Sequence, residues 1–299
     1  MNNDVKREFP AWHFSMLNDV DRNSVIEAAI REAGVAGKTV FEIGTGAGLT
    51  AMLFARYGAR EIITCEIDEQ LYRTALSVFK INGLSAKITA LNKSSSDVVS
   101  DGSLPFVPDF IFTETLDCGV VGEGFASIRA DIIATRGKDT VVLPGSIAQH
   151  GYLVESHEMH GLNSVHEHCG FDLSPLNNFK TRSYFPVRAA QHRPKALTPV
   201  VPLRTFSYTD SAKASARVVI EAHIDGLCHG IVSFFEAQFG RYVVTNDLRS
   251  LGHWHQAFHP FHEPMAVYAG QRYAISIAID GAASLSPLES MQELSYEQA

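Results

Sequence analysis

The chain has 299 residues, of which 45% are hydrophobic and 19% are charged, and its formal net charge at pH 7 is -8. This composition is typical of a globular protein, and the length allows two structural units. The acidic balance argues against a nucleic-acid partner, which would need a basic face for its phosphates, and no apolar stretch is long enough to span a membrane.

The first half of the chain alternates strand-like and helix-like segments. Residues 39–43 form a short apolar run, and a glycine-rich turn and a helical pattern follow it. Residues 61–68 have the pattern of a buried strand, and residues 69–84 have apolar residues at helical spacing before a glycine stop. Strand patterns return at 86–92 and 108–114. Strands that alternate with helices predict a doubly wound, Rossmann-like parallel sheet.

The pattern changes after about residue 145, where strand-like segments separated by turns predict an antiparallel β domain. The polar segment 158–197 is predicted to be an excursion from this domain in the form of an arm. We place the boundary near Pro144, so that the two units are residues 1–145 and 146–299. The strand-like segments of the second unit are 146–156, 198–210, 216–224, 229–239 and 271–280.

The turn after the first predicted strand reads EIGTGAG and contains Glu42, Gly44 and Gly46. Glycines at such a turn let the backbone approach a bound ligand closely. Glu66 ends the second predicted strand, where a doubly wound fold places a carboxylate against ribose hydroxyls. The acid before the first glycine suits a cationic or neutral adenosyl ligand better than a pyrophosphate. Taken singly, these features also fit a tight turn and a strand end that faces solvent.

Two glutamates lie nine residues apart in the stretch TETLDCGVVGEGF, residues 113–125, which contains no Lys or Arg. Bringing carboxylates out of water without a basic partner is costly, so Glu114 and Glu123 are expected to bind a cation. Alternatively, Glu123 interacts only with the dipole of the helix predicted to follow it.

The four cysteines, Cys65, Cys118, Cys169 and Cys228, lie far apart and form no CxxC motif. This spacing favours reduced thiols, and the N-terminus has no apolar run typical of a signal peptide, so we expect a cytoplasmic protein. Four histidines between residues 253 and 262 suggest zinc at first sight. No carboxylate or cysteine completes a recognised ligand spacing there, and we predict no metal site.

The stretch VFEIGTGAGLTAMLFARYGAREIITCEID resembles the start of a class I S-adenosylmethionine-dependent methyltransferase. TETLDCGVVGEG resembles the double-glutamate loop of the protein arginine methyltransferase family. LGHWHQAFHPF at 251–261 resembles that family's second substrate loop, and HFSMLNDVDRN at 13–23 resembles its N-terminal cofactor-lid segment. The resemblance covers roughly residues 10–280. It implies an α/β fold, with a Rossmann-like doubly wound methyltransferase sheet followed by an antiparallel β-barrel-like domain with a dimerisation arm.

The resemblance also identifies the cation for which Glu114 and Glu123 are suited. It implies that they hold the guanidinium group of arginine and leave electron density on the nitrogen that attacks the methyl group. A guanidinium is planar and offers its N–H donors in a rigid fork, so two carboxylates can bind it bidentately from two sides. The methyl donor would be S-adenosylmethionine, and the product S-adenosylhomocysteine.

Further roles are implied by the same motifs. Asp19 would pair with His253, so that the histidine is oriented to help remove a proton. Met16 and Trp254 would contact the substrate near the reacting centre. The residues implied to bind the cofactor are His13, Arg22, Glu42, Gly44, Gly46, Glu66, Ser95 and Ser96.

The sequence therefore predicts an arginine N-methyltransferase, with free L-arginine favoured over protein arginine because the chain is little more than the family's catalytic core. The expected form is a cytoplasmic homodimer that works in natural-product biosynthesis. Gly252 departs from the family's usual Thr, which leaves open the methylated nitrogen and the number of methyl groups. The alternatives are a methyltransferase for another small amine or acid, and an inactive dimeric relative that binds cofactor without turnover.

Overall fold

The structure, a computed structural model, describes residues 11–210 and 215–288. The strands of the first unit are β1 (Thr39–Ile43), β2 (Glu61–Cys65), β3 (Ile88–Leu91), β4 (Phe110–Thr113) and β5 (Val141–Leu143). Its helices are α1 (Trp12–Leu17), α2 (Val20–Glu32), α3 (Leu49–Arg56), α4 (Glu69–Ile81), α5 (Ser95–Ser100) and α6 (Phe125–Thr135). The strands form a parallel sheet in the order β3-β2-β1-β4-β5, so the predicted doubly wound sheet is confirmed.

The second unit is built from antiparallel strands, as predicted. They are β6 (Ser146–Glu155), β7 (Glu167–His168), β8 (Phe171–Asp172), β9 (Phe185–Val187), β10 (Lys195–Ala196), β11 (Val201–Phe206), β12 (Ala216–Glu221), β13 (Gly226–Phe239), β14 (Tyr242–Thr245), β15 (Gln256–Val267), β16 (Arg272–Ile277) and β17 (Ala283–Pro287). The main sheet runs β10-β6-β13-β15-β9, with β11 paired to β6 and β14 to β13, and β12-β16-β17 form a smaller sheet.

The segment predicted as an arm leaves the main sheet at the end of β6 and returns to it. It carries helix α7 (His157–Gly161), the β7–β8 hairpin, a 3-10 helix (Ser174–Phe179) and helix α8 (Ala189–His192). On its return, β9 pairs with β15 and β10 pairs with β6. The two ends of the segment are thus fixed in one sheet.

Polar side chains cap the helices that border the sheet edge. Asp19 accepts a hydrogen bond from the backbone of Arg22 at the start of α2, and Asp68 does the same for α4. Ser94 and Asp97 form a capping box at α5. Each such cap contributes about 1 kcal/mol to helix stability. The longest helices, α2 and α4, have 13 residues. In the described ranges, no helix has both the length and the apolar character that crossing a membrane requires.

One hydrophobic core cluster extends through both units. Phe112 of β4 lies 5.8 Å, between ring centroids, from Phe239 of β13. Phe125 at the start of α6 packs on Phe206 and Tyr208 of the second unit at 5.2 and 4.7 Å. All of these aromatic side chains are buried. Burial of a large apolar side chain contributes about 1.5–3 kcal/mol, so this junction joins the units firmly.

Candidate active site

The carboxyl ends of three neighbouring strands meet at one edge of the parallel sheet. Ile43, the last residue of β1, pairs with the last residue of β2 on one side and with the last residue of β4 on the other. The strand order reverses between β1 and β4, which is where open α/β sheets bind ligands. Gly44, Glu66 and Glu114 follow these strands directly, so they become neighbours at this edge.

A cavity of about 730 Å³ opens at the same edge and extends to helix α1 and to the segment before β15. This volume is within the usual range of small-molecule sites. All predicted site residues line it except Asp19 and Glu42. The residues that line it are His13, Met16, Arg22, Gly44, Gly46, Glu66, Ser95, Ser96, Glu114, Glu123, His253 and Trp254.

Glu66 is held at the cavity wall by two backbone hydrogen bonds. Its Oε2 accepts from the N–H of Gly46 at 2.9 Å, and its Oε1 accepts from the N–H of Asp68 at 3.0 Å. Gly44 and Gly46 have positive φ angles of 88° and 53°, and a Cβ at Gly46 would have no atom within 4 Å. The turn therefore leaves room for a ligand against the backbone. The Glu66 carboxylate has further lone pairs for the hydroxyl groups of that ligand.

Glu42 is not brought to the cavity. It is 1% exposed, and Thr64 on the neighbouring strand donates a hydrogen bond to its Oε2 at 2.6 Å. Its side chain also interacts with the backbone of Ala51 in α3. Burial raises the pKa of Glu42 to about 8, so this carboxyl group is mostly protonated at pH 7. Glu42 thus lies under the glycine turn, between the sheet and a helix.

Ser95 and Ser96 line the cavity at the first turn of α5. Both hydroxyl groups donate to Oδ2 of Asp131 in α6, at 2.6 and 2.8 Å. These bonds fix the start of α5 against α6. The hydroxyl oxygens can still accept hydrogen bonds from a ligand, since each has two lone pairs.

The basic partner of Glu114 comes from helix α2. Arg22 Nη2 donates to Glu114 Oε2, and both side chains are only 6% exposed. Arg22 Nη1 donates to Asn23 Oδ1 at 2.7 Å, while its Nε has no hydrogen-bond partner within the described ranges. A buried carboxylate beside a guanidinium is far less costly than one alone. This pair explains how Glu114 is tolerated, and it leaves a donor on Arg22 for a ligand.

Glu123 lies in the same cavity in a different setting. Within the described part of the chain, no Lys, Arg or His forms an ion pair with it. Cavity solvent reaches the side chain. Its pKa is nevertheless raised to about 7, first by desolvation in the cleft and then by the negative charges of Glu114 and Asp117. Near neutral pH, a proton and an incoming cation therefore compete for Glu123.

Asp19 and His253 are brought together although they lie far apart in sequence. Asp19 Oδ2 accepts from both the backbone N–H and the ring Nδ1 of His253, each at 2.9 Å. Burial lowers the pKa of His253 and outweighs the opposing effect of Asp19. Burial acts to raise the pKa of Asp19, but its hydrogen bonds prevail and lower it. At neutral pH the pair is an ionised Asp19 and a neutral His253 with its proton on Nδ1.

Gly252, the residue that departs from the resembled loop, is explained by this pair. A Cβ at position 252 would lie 2.6 Å from Asp19 Oδ2. Any larger residue would have to move the carboxylate. The glycine thus allows Asp19 to approach the backbone of the segment closely enough to bind His253.

Trp254 forms a buried wall of the cavity. Its Nε1 donates to the backbone carbonyl of Leu116 at 2.7 Å, and its ring packs edge-on against Phe235 at 5.2 Å. The Arg22 guanidinium lies 6.0 Å from the centre of the Trp254 ring. Trp254 therefore connects the segment before β15 to the loop that begins at Glu114.

Helix α1 contributes the remaining predicted residues. His13 is buried, and its ring stacks on that of Trp12 at 3.8 Å. Burial lowers the pKa of His13, so its ring is mostly neutral at pH 7. Met16 lines the cavity one turn further along the helix. The helix thus closes the cavity from the N-terminal side.

Asp117 and Tyr184 are two residues at the site that the sequence motifs do not indicate. Asp117 lines the cavity, and its Oδ2 accepts from the hydroxyl of Tyr184 at 2.8 Å. Tyr184 lies in the arm segment, 67 residues further along the chain. The one signal in the sequence is the spacing of Asp117 from Gly119 and Gly122, whose N–H groups donate to Oδ1 of Asp117.

The histidines between 253 and 262 do not converge. His259 is fully buried, and its ring nitrogens contact Gly281 O at 2.7 Å and Ser233 Oγ at 2.8 Å. His262 is exposed. Across residues 11–210 and 215–288, no three His, Cys, Asp or Glu side chains are grouped so that they could hold a metal ion.

Comparison with known proteins gives similarity along most of the chain. The arginine N(omega)-methyltransferase of Streptomyces achromogenes subsp. streptozoticus is 35% identical over 280 residues, which are 91% of this chain and 77% of that protein. Mouse protein arginine N-methyltransferase 9 is 37% identical over 131 residues, which are 41% of this chain but only 16% of that protein. No protein-family model matches the chain.

The fold is also that of a solved structure. The Trypanosoma brucei PRMT1 enzyme–prozyme heterotetrameric complex with AdoHcy has a TM-score of 0.75 to this chain, with 94% of this chain and 95% of that chain covered. The sequence identity is 18%, so this likeness bears on the fold alone.

Proposed function

We propose that this chain, which belongs to the protein arginine methyltransferase family and catalyses S-adenosylmethionine-dependent methylation of arginine, acts on free L-arginine rather than on arginine within a protein. The observation that supports arginine methylation is a single cavity that holds both Glu114 and Glu123 beside the glycine turn and Glu66. Such a cavity can hold a guanidinium and an adenosyl group next to each other.

The cofactor half of the cavity fits S-adenosylmethionine, which supplies an electrophilic methyl group on a sulfonium. Glu66, held by two backbone N–H groups, would accept from the ribose hydroxyls. The open Gly46 turn would admit the ligand against the backbone. The Arg22 Nε and the His13 ring would face the carboxylate, and Ser95 and Ser96 would border the remaining part of the ligand. Glu42, under the turn, would support it from below.

The substrate half of the cavity would orient the guanidinium. Arg22 uses Oε2 of Glu114, which leaves Oε1 for the substrate. Glu123 would release its proton when the cation arrives and bind the other side of the fork. With two carboxylates on the far nitrogens, positive charge is localised there and the attacking nitrogen keeps its electron density. Holding the attacking nitrogen in near-attack geometry to the methyl group would accelerate the transfer further.

His253 would accept the proton that the substrate loses. Its Nδ1–H is bound to Asp19, so the lone pair of the neutral ring is on Nε2. Asp19 keeps this tautomer and stabilises the imidazolium when the proton arrives. Met16 and Trp254 would exclude water from the reacting centre.

The preference for free arginine rests on the surroundings of the cavity. A free amino acid needs a cation for its α-carboxylate. Arg188 Nη2 donates to the carbonyl of Gly252 at 2.9 Å. The pKa of His255, which lines the cavity, is lowered first by burial and then by the charge of Arg188. Arg188 is therefore a cation beside the cavity that would bind the α-carboxylate of free arginine. An arginine residue within a peptide has no free α-carboxylate to bind there.

The test compares kcat/KM for free arginine and for an arginine peptide with blocked ends, with release of S-adenosylhomocysteine as the readout. We expect free arginine to be the better substrate. A tenfold preference for the peptide would refute the choice of free arginine but not the guanidinium site. Absence of turnover with both would contradict the role of Glu114 and Glu123.

We further propose that the protein is a cytoplasmic homodimer. The arm carries Phe171, Leu176 and Phe179 with 69%, 62% and 85% of their surface exposed, which a second copy could cover. None of the four cysteines forms a disulfide, in keeping with a reducing compartment. Light scattering should give twice the mass of the chain, and Phe179→Asp should lower it; a monomeric wild type would contradict the proposal.

A methylated free arginine is a building block, not a protein modification. For that reason the proposal extends to natural-product biosynthesis. The support is the proposed preference for a free amino acid, so a preference for the blocked peptide would remove the ground for this extension.

A further inference from the structure

The loop between the two glutamates is folded around a carboxylate that the methyl transfer does not use. Asp117 Oδ1 accepts from the backbone N–H groups of Gly119 at 3.2 Å and Gly122 at 3.1 Å. The backbone carbonyl of Asp117 accepts from the N–H of Val120 at 3.1 Å, and Val120 has a φ of 79°. A β-branched residue rarely adopts this conformation, so the loop is held there by its surroundings.

The other oxygen of Asp117 is bound by the arm. The Tyr184 hydroxyl donates to Asp117 Oδ2 at 2.8 Å. The Tyr184 ring covers the loop so closely that a Cβ at Gly119 would lie 2.3 Å from it. A Cβ at Gly122 would lie 2.3 Å from Asp117 Oδ2. The two glycines of this loop are thus required by the contact with Asp117 and Tyr184.

Tyr184 itself is confined by the second unit. Its ring lies 5.3 Å from that of buried His259. On another side it meets Gly281, where a Cβ would lie 2.4 Å from the ring. His259 Nδ1 contacts the carbonyl of Gly281 at 2.7 Å, so both neighbours are fixed to each other. The Tyr184 side chain that donates to Asp117 is therefore itself fixed by packing.

We propose that Asp117 and Tyr184 are positioning residues for Glu123, an inference that rests on the function proposed above for the same site. Gly122, bound by Asp117, directly precedes Glu123. Gly124 follows it with a φ of 85° and begins α6. With the backbone fixed on both sides, the Glu123 carboxylate has few directions available. The arm thereby shapes the substrate site without touching the substrate.

Asp117 also acts on Glu123 through its charge. Among the residues that the structure describes, the charged and titratable groups that interact with Glu123 are Glu114 with its partner Arg22, Asp117, and the buried phenol of Tyr208. The negative charge of Asp117 contributes to the raised pKa of Glu123. Asp117→Asn would remove this charge along with one acceptor, whereas Tyr184→Phe would remove only a hydrogen bond. The two substitutions therefore separate charge from position.

The experiment measures methyl transfer from S-adenosylmethionine to arginine in the wild type, Asp117→Asn, Tyr184→Phe and a control, Asp109→Asn. Asp109 likewise accepts from a backbone N–H, that of Thr39 at 2.8 Å, but at the opposite end of β4. The readouts are kcat, KM for arginine, the Kd for S-adenosylmethionine, and kcat/KM against pH.

We expect Tyr184→Phe to lower kcat about tenfold or more with an unchanged Kd for S-adenosylmethionine and an unchanged acid limb of the pH profile, because misplacing a reacting group by about 1 Å can cost up to about 100-fold in rate. Asp117→Asn should lower kcat and also move the acid limb to lower pH. Asp109→Asn should change neither kcat nor the acid limb of the pH profile.

The inference is overturned if Asp117→Asn and Tyr184→Phe both behave like Asp109→Asn, or if the acid limb of Asp117→Asn stays in place. If Asp117→Asn does not fold, Tyr184→Phe decides by its kcat. If the wild type itself transfers no methyl group to arginine, the proposed function fails and this inference fails with it, which is distinct from loss in the variants alone.

Discussion

Glu114 and Glu123 carry the same functional group in different surroundings. Glu114 shares a buried ion pair with Arg22. Glu123 faces cavity solvent, and its pKa is raised to about 7 by desolvation and by nearby acids. Removing one partner of a buried pair leaves an uncompensated charge and costs about 3–5 kcal/mol. Removing the charge of Glu123 relieves repulsion instead, so one substitution should have opposite effects on stability at the two positions.

Glu114→Gln and Glu123→Gln should each lower turnover at least tenfold while the Kd for S-adenosylmethionine stays nearly unchanged, because each removes one charge from the guanidinium site. In urea unfolding at pH 8, Glu114→Gln should lose about 3 kcal/mol of stability. Glu123→Gln should be as stable as the wild type or more so. Turnover at the wild-type rate in either variant, or equal stability losses in both, would contradict this account.

Glu66→Ala should weaken S-adenosylmethionine binding about tenfold or more, because a hydrogen bond to a charged acceptor is worth about 1.5–3 kcal/mol. Isothermal titration calorimetry gives the Kd directly. Glu69→Ala is the matched control, since Glu69 is an exposed acid at the start of α4 whose ion-pair partner is exposed Arg73. An unchanged Kd in Glu66→Ala would refute the placement of the ribose.

At the scale of elements, Asp19 joins helix α2 to the segment before β15. Its Oδ1 caps the helix by accepting from the N–H of Arg22 at 3.0 Å, and its Oδ2 binds His253. The same cap orients the helix that carries Arg22 to Glu114. The two carboxyl oxygens thus serve two different elements.

Asp19→Asn retains a good capping side chain, whereas Asp19→Ala loses the cap and about 1 kcal/mol with it. Both variants should lose activity to a similar degree, because the Asp19 carboxylate is what raises the basicity of His253 against the effect of burial. Urea unfolding and kcat/KM measured on the same samples separate the two effects. Equal stability of both variants would mean that the cap contributes nothing, and an active Asp19→Asn would remove the pair from the mechanism.

The sheet edge could be predicted from the sequence because parallel strands end together. Glu66 and Glu114 each follow an apolar strand directly, so their convergence follows from the fold class. The ion pair between Arg22 and Glu114 could not be predicted in this way, since it joins residues 92 positions apart through the packing of α2. The contact of Asp117 with Tyr184 depends on the path of the arm. The position of Glu42 before a glycine predicts a cofactor contact, but its side chain is buried under the turn.

At the scale of the whole molecule, buried groups with shifted pKa values make stability depend on pH in two directions. Burial lowers the pKa of His259 to about 4. An unfolded histidine titrates near 6.5, so stability is fully present above that pH and is lost as pH falls through about 4. Burial raises the pKa of Glu42 to about 8, so its effect has the opposite sign and stability is lost as pH rises from about 4.5 to 8.

His259→Gln should remove the acid-side part of this dependence. Between pH 7 and pH 4 the stability difference between wild type and variant should shrink by about 3 kcal/mol, which follows from the shift of His259 at about 1.4 kcal/mol for each pH unit. Urea unfolding at several pH values measures it. His262→Gln, an exposed histidine on the same strand, is the control. A constant difference across this range would show that His259 is not the group responsible.

The aromatic junction formed by Phe112, Phe125, Phe206, Tyr208 and Phe239 has a consequence for engineering. Each unit buries apolar aromatic side chains against the other at this junction. The methyltransferase sheet expressed without the second unit would therefore expose an apolar surface prone to aggregation. Combining either unit with the other unit of a relative would require redesign of the aromatic junction on both units. Differential scanning calorimetry should accordingly give one heat-absorption peak with matching calorimetric and van 't Hoff enthalpies. Two resolved peaks would mean that the halves melt independently and can be exchanged as modules.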